Sequence, residues 1–441
     1  MRVLVVGGGG REHALVHALA ASPLVTRLFC APGNAGTAGE ADNVPIGAED
    51  LPALLEFASR EQVDLTVVGP EAPLVAGITD LFEEHGLAVF GPGREAARLE
   101  GSKSFAKEVM REGGVPTGAS GRFDSAPLAL AALEGMRDRG QFPVVVKADG
   151  LAAGKGVLIC EDYEAAREAV ERCLVRREFG SAGEAVLIEE HLSGPEVSLF
   201  VLCDGETALP LAAAQDYKRI YDGDEGPNTG GMGSYCPVPG FGPRAVDLVM
   251  DRVVEPTLGA LRRRGVRYRG LLYAGLMVTD DGPKVLEFNC RFGDPETQAL
   301  LPRLRSDLAE LCLAATRGEL AGARLEWDPR ACVTVVMASA GYPASSHKGD
   351  VIEGLDAAAA LDGVTVYHAG TAWQDGHVVT AGGRVLAVSA LGDGFAAARA
   401  RAYEAVDRIR FSGMQVRRDI AERAVRAEAG LADLFPACLP R

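Results

Sequence analysis

The chain has 441 residues, 47% of them hydrophobic, and this length predicts several domains because single cores rarely grow past about 250–300 residues. Its net charge of −16, with no run rich in lysine and arginine, excludes a general binder of nucleic acids or of anionic membranes. The nine cysteines form no CxxC pair and no apolar run reaches the roughly 18 residues of a membrane span, so we expect a cytoplasmic protein with reduced thiols.

Residues 1–100 alternate short apolar strands with helices, the pattern of a doubly wound parallel sheet. Ligands of such sheets bind outside the carboxyl ends of the strands. The first of these ends carries Gly7–Gly10 followed by Arg11. Small residues let a ligand approach the backbone, and N–H groups that open a helix attract anions. A dinucleotide site is excluded because Glu12 stands where the third glycine should be, so we predict a smaller phosphorylated ligand.

Two histidines, His13 and His17, lie four residues apart on the helix that follows these glycines. Zinc sites use this spacing, but the HExxH motif fails because Ala14 follows His13. We therefore interpret both histidines as packing or surface residues.

A glycine-rich segment, Gly150–Gly156, follows a strand that ends at Lys147. It is not a Walker A loop, since its spacing is G-x3-G-K-G and a strand follows it instead of a helix. We interpret it as a flap that folds over phosphates, with Lys147 and Lys155 supplying positive charge. The alternative, a simple flexible hairpin, leaves the two lysines unexplained.

A second hairpin is predicted where Asp281-Gly282 separates two runs of strand formers. Alternation along its second strand places Leu286 in a core. It places Glu287, Asn289 and Arg291 together on the opposite face. A carboxylate and an amide oxygen suit Mg²⁺ or Mn²⁺ bridging phosphates, and an arginine can clamp a phosphate or a carboxylate. Considered alone, this polar face is equally compatible with the solvent-exposed side of an ordinary hairpin.

The remaining chain supplies a long loop and a last unit. Residues 216–239 are polar and rich in glycine and proline, and the segment is too long for a loop that merely connects two elements. Hydrogen-bond donors at Asn228–Gly233 predict a substrate loop there. From about Trp327, several strands and a helix predict a mixed α+β lid domain without a clear catalytic cluster.

Seven motifs follow one another along the chain: GGGGREHAL, APGNAGTA, VGPEAPLV, LEGSKSFAK, VVKADGLAAGKGV, GPNTGGMGSY and LEFNCRFGDPETQ. In this order they resemble the motifs of the phosphoribosylamine–glycine ligase (glycinamide ribonucleotide synthetase) family, which belongs to the ATP-grasp superfamily. The resemblance runs from residue 1 to about residue 425. It implies an α/β and α+β multidomain fold with four parts: an N-terminal α/β substrate domain at 1–100, an ATP-grasp domain at 101–326 with a flap subdomain at about 120–192, a C-terminal α+β domain at 327–426, and a tail at 427–441.

The resemblance also implies a reaction of purine biosynthesis. ATP would phosphorylate the carboxylate of glycine, with Mg²⁺ or Mn²⁺, and the amine of 5-phosphoribosylamine would then displace phosphate. The partners would be these small molecules, without nucleic acid or membrane, and the protein would be a monomer or a small homo-oligomer. Two alternatives stay open: another purine-pathway ATP-grasp enzyme, such as a carboxylase or a formate-using transformylase, and a nucleotide sensor with a decayed site.

The resemblance assigns roles to residues at matching positions. ATP would be bound by Lys103, Lys147, Gly150, Gly154, Lys155, Gly156, Glu189, Glu190, Leu192 and Glu196, with an adenine hinge at Glu189, Glu190 and Leu192. The metal would be held by Glu287 and Asn289. Glycine and the acyl phosphate would be surrounded by Arg291, Asp294, Asn228, Thr229, Gly230, Gly231, Met232 and Gly233. Phosphoribosylamine would meet Gly8, Gly9, Gly10, Arg11 and Glu71. The residues closest to the chemistry would be Arg291, Lys147 and Asp294.

Overall fold

The computed structural model describes residues 1–152, 156–435 and 439. The strands of the first hundred residues are β1 (Arg2–Gly7), β2 (Arg27–Pro32), β3 (Asp42–Asn43), β4 (Leu65–Val68) and β5 (Val89–Phe90). The helices there are α1 (Gly10–Ala20), α2 (Leu51–Arg60), α3 (Glu71–Ala76), α4 (Ile78–Glu84) and α5 (Arg94–Gly101), with a 3-10 turn at Thr37–Gly39. All neighbouring strands are parallel in the order β3-β2-β1-β4-β5, which confirms the doubly wound sheet.

Both faces of this parallel sheet are buried, as its continuous apolar strands require. Leu4 and Val6 pack in one cluster with Phe57 of α2. Val3 packs in a second cluster with Leu15 of α1. Helices on both faces leave the carboxyl ends of the strands open, so the glycine loop after β1 lies at that edge.

The next part of the chain forms a small antiparallel sheet with helices. Its helices are α6 (Lys103–Gly113), α7 (Ala126–Asp138) and α8 (Tyr163–Val170), followed by a π-helical turn at Glu171–Val175 and a 3-10 turn at Gly180–Glu184. Its strands are β6 (Ser120–Phe123), β7 (Val144–Ala148), β8 (Val157–Cys160) and β9 (Val186–Glu190), in the order β6-β9-β7-β8. Ser102 caps α6 by accepting a hydrogen bond from the Phe105 N–H at 3.2 Å.

A second antiparallel sheet carries the central hairpin. The strands of this region are β10 (Glu196–Asp204), β11 (Ala208–Pro210), β12 (Gln215–Asp216), β13 (Arg219–Tyr221), β14 (Glu225–Asn228), β15 (Gly233–Cys236), β16 (Arg269–Thr279) and β17 (Gly282–Asn289). The helices are α9 (Pro243–Val249), α10 (Glu255–Arg263), α11 (Glu296–Leu300) and α12 (Leu308–Arg317), with a π-helical turn at Met250–Val254 and 3-10 turns at Asp222–Asp224 and Leu301–Arg303. The sheet order is β11-β10-β16-β17, and β13 and β14 form a separate two-stranded sheet. The pairing of β16 with β17 confirms the hairpin.

The last unit is mixed α+β, as expected. Its strands are β18 (Ala331–Ala338), β19 (Val364–His368), β20 (Thr371–Gln374), β21 (His377–Thr380) and β22 (Arg384–Gly392). Its helices are α13 (Leu355–Ala359), α14 (Phe395–Val406) and α15 (Glu422–Glu428). The antiparallel sheet has the order β12-β15-β18-β22-β19, so two of its strands come from the region of the predicted substrate loop. That loop is thereby anchored in the C-terminal unit.

The described residues contain no disulfide and no helix that could cross a membrane. The eight cysteines within the described ranges are all buried and none forms a disulfide. No described helix has the length and apolar character needed to cross a membrane.

Candidate active site

The central hairpin contains a β-bulge that the sequence did not reveal. Leu276 pairs with Val285 and Gly275 pairs with Glu287, so Leu286 is an extra residue on β17. A bulge interrupts the two-residue alternation of a strand. Val285 therefore faces the core at 1% exposure, whereas Leu286 is only half-buried. The prediction that Leu286 lies in the core is wrong.

Beyond the bulge, β17 presents Glu287 and Asn289 toward a group of cations. Burial would raise the pKa of Glu287, but Lys218, Lys147 and Lys103 together lower it, so the carboxylate is ionised. Among the described residues, no side chain or N–H group forms a hydrogen bond or an ion pair with this carboxylate. A half-buried anion without a direct partner is suited to receive a cation.

The donor set of the hairpin fits a magnesium-type ion. Asn289 contributes an amide oxygen, which also accepts a hydrogen bond from Arg291 at 3.2 Å. No described group of three or more histidine, cysteine, aspartate or glutamate side chains is arranged to hold a metal alone. Glu287 and Asn289 would supply two oxygen ligands, and phosphates and water would supply the others, which is how Mg²⁺ is commonly bound.

Three lysines surround this region, two of them held by one buried carboxylate. Lys147 Nζ lies 2.9 Å and Lys107 Nζ 3.3 Å from Glu189 Oε2, and Glu189 is 5% exposed. Lys103 Nζ donates to the Gly150 carbonyl at 2.8 Å. Burial lowers the pKa values of Lys103 and Lys107. Partly desolvated cations of this kind are able to bind phosphate oxygens.

Glu189 was predicted to be part of an adenine hinge, but its side chain has a different environment. It lies within the sheet between Ser120 and Val145, and its carboxylate is directed at the lysines. Lys107 holds the same carboxylate, a role that the sequence pattern did not predict. The neighbouring Glu190 accepts a hydrogen bond from the Ala119 N–H at 3.0 Å. The hinge positions that remain are Glu190 and Leu192.

The glycine-rich segment is described only at its two ends. A side chain at Gly150 would approach Ala182 to 2.8 Å, and one at Gly156 would approach Ala152 to 2.7 Å. Both positions therefore require glycine for close packing. The predicted ATP contacts at Gly154 and Lys155 lie outside the described residues.

Lys218, which sequence reasoning missed, is the charged centre of the loop after β12. Its Nζ lies 2.9 Å from Asp216 Oδ1 and 3.3 Å from Glu196 Oε2, so Glu196 shares this lysine. Burial opposes the charge, but the two carboxylates hold the pKa of Lys218 well above its usual value. Burial and Asp216 raise the pKa of Glu296 to about 7. The neighbouring Tyr273 hydroxyl donates to Glu296 at 2.9 Å.

Arg291 joins the hairpin to the N-terminal unit. Its Nη2 lies 2.6 Å from Glu100 and its Nε 3.2 Å from Glu71. Burial opposes its charge, but Glu100 and Glu71 raise the pKa of the guanidinium. The structure thus brings together Arg291 and Glu71, which were predicted at the sites of two different substrates.

The glycine loop after β1 is closed around Glu12. The Glu12 carboxylate accepts a hydrogen bond from the Gly9 N–H and one from Arg11 Nε, both at 2.6 Å. Arg11 Nη1 donates to the Phe292 carbonyl at 3.1 Å, and Arg11 is 7% exposed. A side chain at Gly8 would approach the Gly33 carbonyl to 2.6 Å. The guanidinium of Arg11 therefore has two protein partners already.

A residue of the C-terminal unit, Arg384, enters this region, although that unit was predicted to lack a catalytic cluster. Its Nη2 lies 3.1 Å from Asp294 Oδ2, and its Nη1 donates to the carbonyls of Asp294 at 2.7 Å and Gly230 at 2.6 Å. Burial would raise the pKa of Asp294, but Arg384 and Arg11 lower it. Gln298 Nε2 also donates to Asp294, at 2.8 Å. Only a three-dimensional view could find Arg384, because nearly 90 residues separate it from Asp294.

The predicted substrate loop divides into two parts. Met232 is fully buried, its N–H donates to the Tyr217 carbonyl, and its carbonyl accepts from the Val336 N–H. Gly233 already belongs to β15. These two predictions of substrate contact are corrected, because both residues serve the core and the sheet. In the part at 228–231, Asn228 and Thr229 are half-buried and Gly230 is exposed, whereas Gly231 is buried.

Three family models match the chain: phosphoribosylglycinamide synthetase N domain at residues 1–100, its ATP-grasp (A) domain at 101–297, and its C domain at 332–423. The phosphoribosylamine–glycine ligase of Brucella melitensis is 51% identical to this chain, over 97% of this chain and 99% of the length of that ligase. The ligase of Pseudomonas aeruginosa is 51% identical over 98% of this chain and 100% of its own.

Solved structures agree with the sequence relatives. The crystal structure of phosphoribosylamine–glycine ligase from Thermotoga maritima superposes with a TM-score of 0.80 at 34% identity, over 96% of this chain and 100% of that chain. A biotin carboxylase domain from Hydrogenobacter thermophilus, in complex with MgADP, gives a TM-score of 0.69 at 17% identity over 97% of this chain and 98% of that chain. The second likeness concerns the ATP-grasp fold alone.

Proposed function

Because the chain belongs to the phosphoribosylglycinamide synthetase family, we propose that it joins glycine to 5-phosphoribosylamine in an ATP-dependent reaction. The γ-phosphoryl group of ATP moves to the glycine carboxylate, giving glycyl phosphate and ADP. The amine of phosphoribosylamine then attacks the carbonyl carbon, and inorganic phosphate leaves as the amide forms. The product is glycinamide ribonucleotide, an intermediate of purine biosynthesis.

The observation that carries this proposal is the ionised Glu287 carboxylate, which has no direct partner among the described residues and faces three lysines. Phosphoryl transfer depends on positioning and charge neutralisation more than on a protein nucleophile. When bound, a divalent ion neutralises charge on the phosphate oxygens. Glu287 and Asn289 would hold that ion. Their oxygen atoms suit Mg²⁺ and Mn²⁺ alike.

The ATP phosphates would be bound by Lys103 and Lys147. Both amines lie beside the metal-binding face of the hairpin, and the Lys147 Nζ donates to the Leu286 carbonyl at 3.1 Å. Glu189 keeps Lys147 in position by its ion pair. The adenine would then lie near Glu190 and Leu192 at the end of β9, where the sheet ends.

Glycine and the acyl phosphate would lie between Arg291, Asp294 and the loop at 228–231. Arg384 supports this arrangement, because it binds both Asp294 and the Gly230 carbonyl. Charge-assisted contacts of this kind fix orientation as well as supplying binding energy. Water would be kept from the reactive acyl phosphate by the loops that meet here.

Phosphoribosylamine would bind at the carboxyl edge of the parallel sheet. Gly8 and Gly9 lead into helix α1, which begins at Gly10, so main-chain N–H groups and the helix dipole would meet its phosphate. Arg11 and Glu71 lie at the same edge, within electrostatic range of each other. The amine would thus approach from the N-terminal unit and the acyl phosphate from the ATP-grasp unit.

ADP formation tests the proposal directly. The purified protein should release ADP from MgATP when both glycine and phosphoribosylamine are present. Bicarbonate or formate in place of glycine should give no ADP above background. Equal ADP release with either of these would favour a carboxylase or a transformylase and contradict the proposal. Asp281→Asn changes the exposed turn of the hairpin that carries Glu287, so this variant should keep full activity and serves as the control for substitutions of Glu287.

A further inference from the structure

The last residue of β19, in the C-terminal unit, is held by two side chains of the N-terminal unit. The His368 N–H donates to His13 Nδ1 at 2.7 Å. The His368 carbonyl accepts from Asn34 Nδ2 at 2.8 Å. His13 and Asn34 therefore clamp both main-chain polar groups of one residue, and we call this pair the 368 clamp.

The chemistry of the clamp is fixed by its other partners. A main-chain N–H can only donate, so His13 Nδ1 must carry a lone pair and the ring proton lies on Nε2, 3.3 Å from Glu40. The Asn34 oxygen accepts from the N–H groups of Gly36 at 2.8 Å and Thr37 at 3.0 Å. The amide group of Asn34 is thereby oriented with its nitrogen toward His368. His13 is 5% and Asn34 8% exposed.

One of the two clamping side chains, that of Asn34, lies against the glycine loop. Asn34 Nδ2 also donates to the Gly8 carbonyl at 3.0 Å. A side chain at Gly10 would come within 3.5 Å of Ala369 Cβ, the residue directly after the clamped one. The end of β19 therefore forms one wall of the loop at Gly8–Gly10.

The clamp also fixes the position of Arg384. Strand β19 pairs with β22 so that His368 stands opposite Leu386, two residues beyond Arg384. Arg384 in turn binds Asp294 at 3.1 Å. Because hydrogen-bonded strands move together, a displacement of residue 368 would displace the arginine that orders the acyl side of the cleft.

We propose that His13 and Asn34 are positioning residues for the amine substrate: by clamping residue 368, they set the shape of the Gly8–Gly10 loop against the C-terminal unit. This inference rests on the proposed function, which places phosphoribosylamine at that loop. The competing interpretation is ordinary packing between two units. Packing would accept any side chain of similar size, whereas the clamp needs a hydrogen-bond acceptor at the position of Nδ1.

Two substitutions of His13 separate these interpretations. His13→Asn puts an amide oxygen close to the position of Nδ1, so the His368 N–H keeps an acceptor. His13→Gln puts its amide near the position of Nε2, opposite Glu40, and leaves the His368 N–H without one. His17→Gln is the matched control, because His17 is on the same helix and binds Glu40 at 2.9 Å.

We expect His13→Gln to raise the KM for phosphoribosylamine roughly 10-fold, because a buried donor loses its partner. His13→Asn should rescue that KM to within about threefold of wild type, and the constant for ATP should change less than about twofold in either variant. Melting temperatures of all variants are measured in parallel. Equal KM values for the two His13 variants would overturn the clamp.

The outcome also separates the clamp from the proposed function. If the two His13 variants differ only in the constant for ATP or for glycine, the placement of the amine at Gly8–Gly10 is overturned. If they do not differ in any constant, the clamp fails and the proposed function stands. Should His13→Gln not fold, Asn34→Asp provides the second test, since it keeps the acceptor for Gly36 and Thr37 but removes the donor to residue 368. It should raise the same KM roughly 10-fold, and an unchanged KM would overturn the clamp.

Discussion

Glu189→Gln tests whether one buried carboxylate holds the phosphate-binding lysines. Glu189 Oε2 lies 2.9 Å from Lys147 and 3.3 Å from Lys107, and all three side chains are at most 13% exposed. The substitution keeps the size of the side chain and one oxygen but removes its charge. Two buried cations then lose the anion between them.

The expected cost follows from these distances. At an effective dielectric constant near 20, each contact corresponds to roughly 5–6 kcal/mol of Coulomb attraction, most of which offsets desolvation. Removal of one partner from a buried pair typically costs about 3–5 kcal/mol. Since glutamine can still accept one hydrogen bond, we expect about 3 kcal/mol, equivalent to roughly 6–12 °C in the melting temperature of a unit of this size.

Differential scanning fluorimetry with and without MgATP measures the effect. The matched control is Glu190→Gln, whose carboxylate is exposed and lies 3.6 Å from Lys284, so its loss should cost under about 1 kcal/mol. Saturating MgATP should narrow the gap between Glu189→Gln and wild type, because phosphates replace the missing negative charge. Melting of both variants within about 2 °C of each other would refute the reasoning.

Three other predictions concern catalysis, loop order and pH. Glu287→Gln should lower kcat at least about 100-fold at saturating Mg²⁺ with an unchanged melting profile, since the charge that meets the ion is lost; a rate within about threefold of wild type would remove Glu287 from the metal site. Arg384→Gln should raise the KM for phosphoribosylamine or glycine at least about 10-fold, because charge-assisted contacts hold the loops together, while the exposed Arg408→Gln should change nothing. Burial opposes the ionisation of Glu40, but hydrogen bonds from the His13 and His17 imidazoles lower its pKa from 4.5 to about 2. Glu40 in turn raises the pKa of His17 from 6.5. The stabilisation of the fold by the Glu40–His17 pair should therefore be complete between about pH 4.5 and 6.5. It should fall as the pH drops toward 2 and also as the pH rises through the raised pKa of His17. A difference in melting temperature between wild type and Glu40→Gln that stays constant with pH would contradict this prediction.

Local patterns predicted the fold and part of the site well. The hairpin at β16 and β17 follows from Asp281-Gly282 between strand formers, and the parallel sheet follows from the strand–helix rhythm. Alternation also placed Glu287 and Asn289 on one side of a strand. These features depend on residues that are close together in the chain.

The features that were missed depend on distant parts of the chain or on a single residue. The bulge at Leu286 changes one pairing in a strand, and nothing in the local composition reports it. Arg384 reaches Asp294 from a distant part of the chain, on a sheet that combines β12 and β15 with strands of the C-terminal unit. Met232 resembled a loop residue, but its long-range contacts with Tyr217 and residue 336 put it in the core.

The route of one oxygen atom tests the central claim most directly. If ATP activates glycine as glycyl phosphate, the oxygen that bridges carbon and phosphorus comes from the glycine carboxylate and leaves with phosphate. Glycine labelled with ¹⁸O in both carboxylate oxygens should therefore yield inorganic phosphate with one ¹⁸O atom per turnover, and the other ¹⁸O should stay in the amide, as mass spectrometry of both products will show. Unlabelled phosphate, formed together with the amide, would contradict the account.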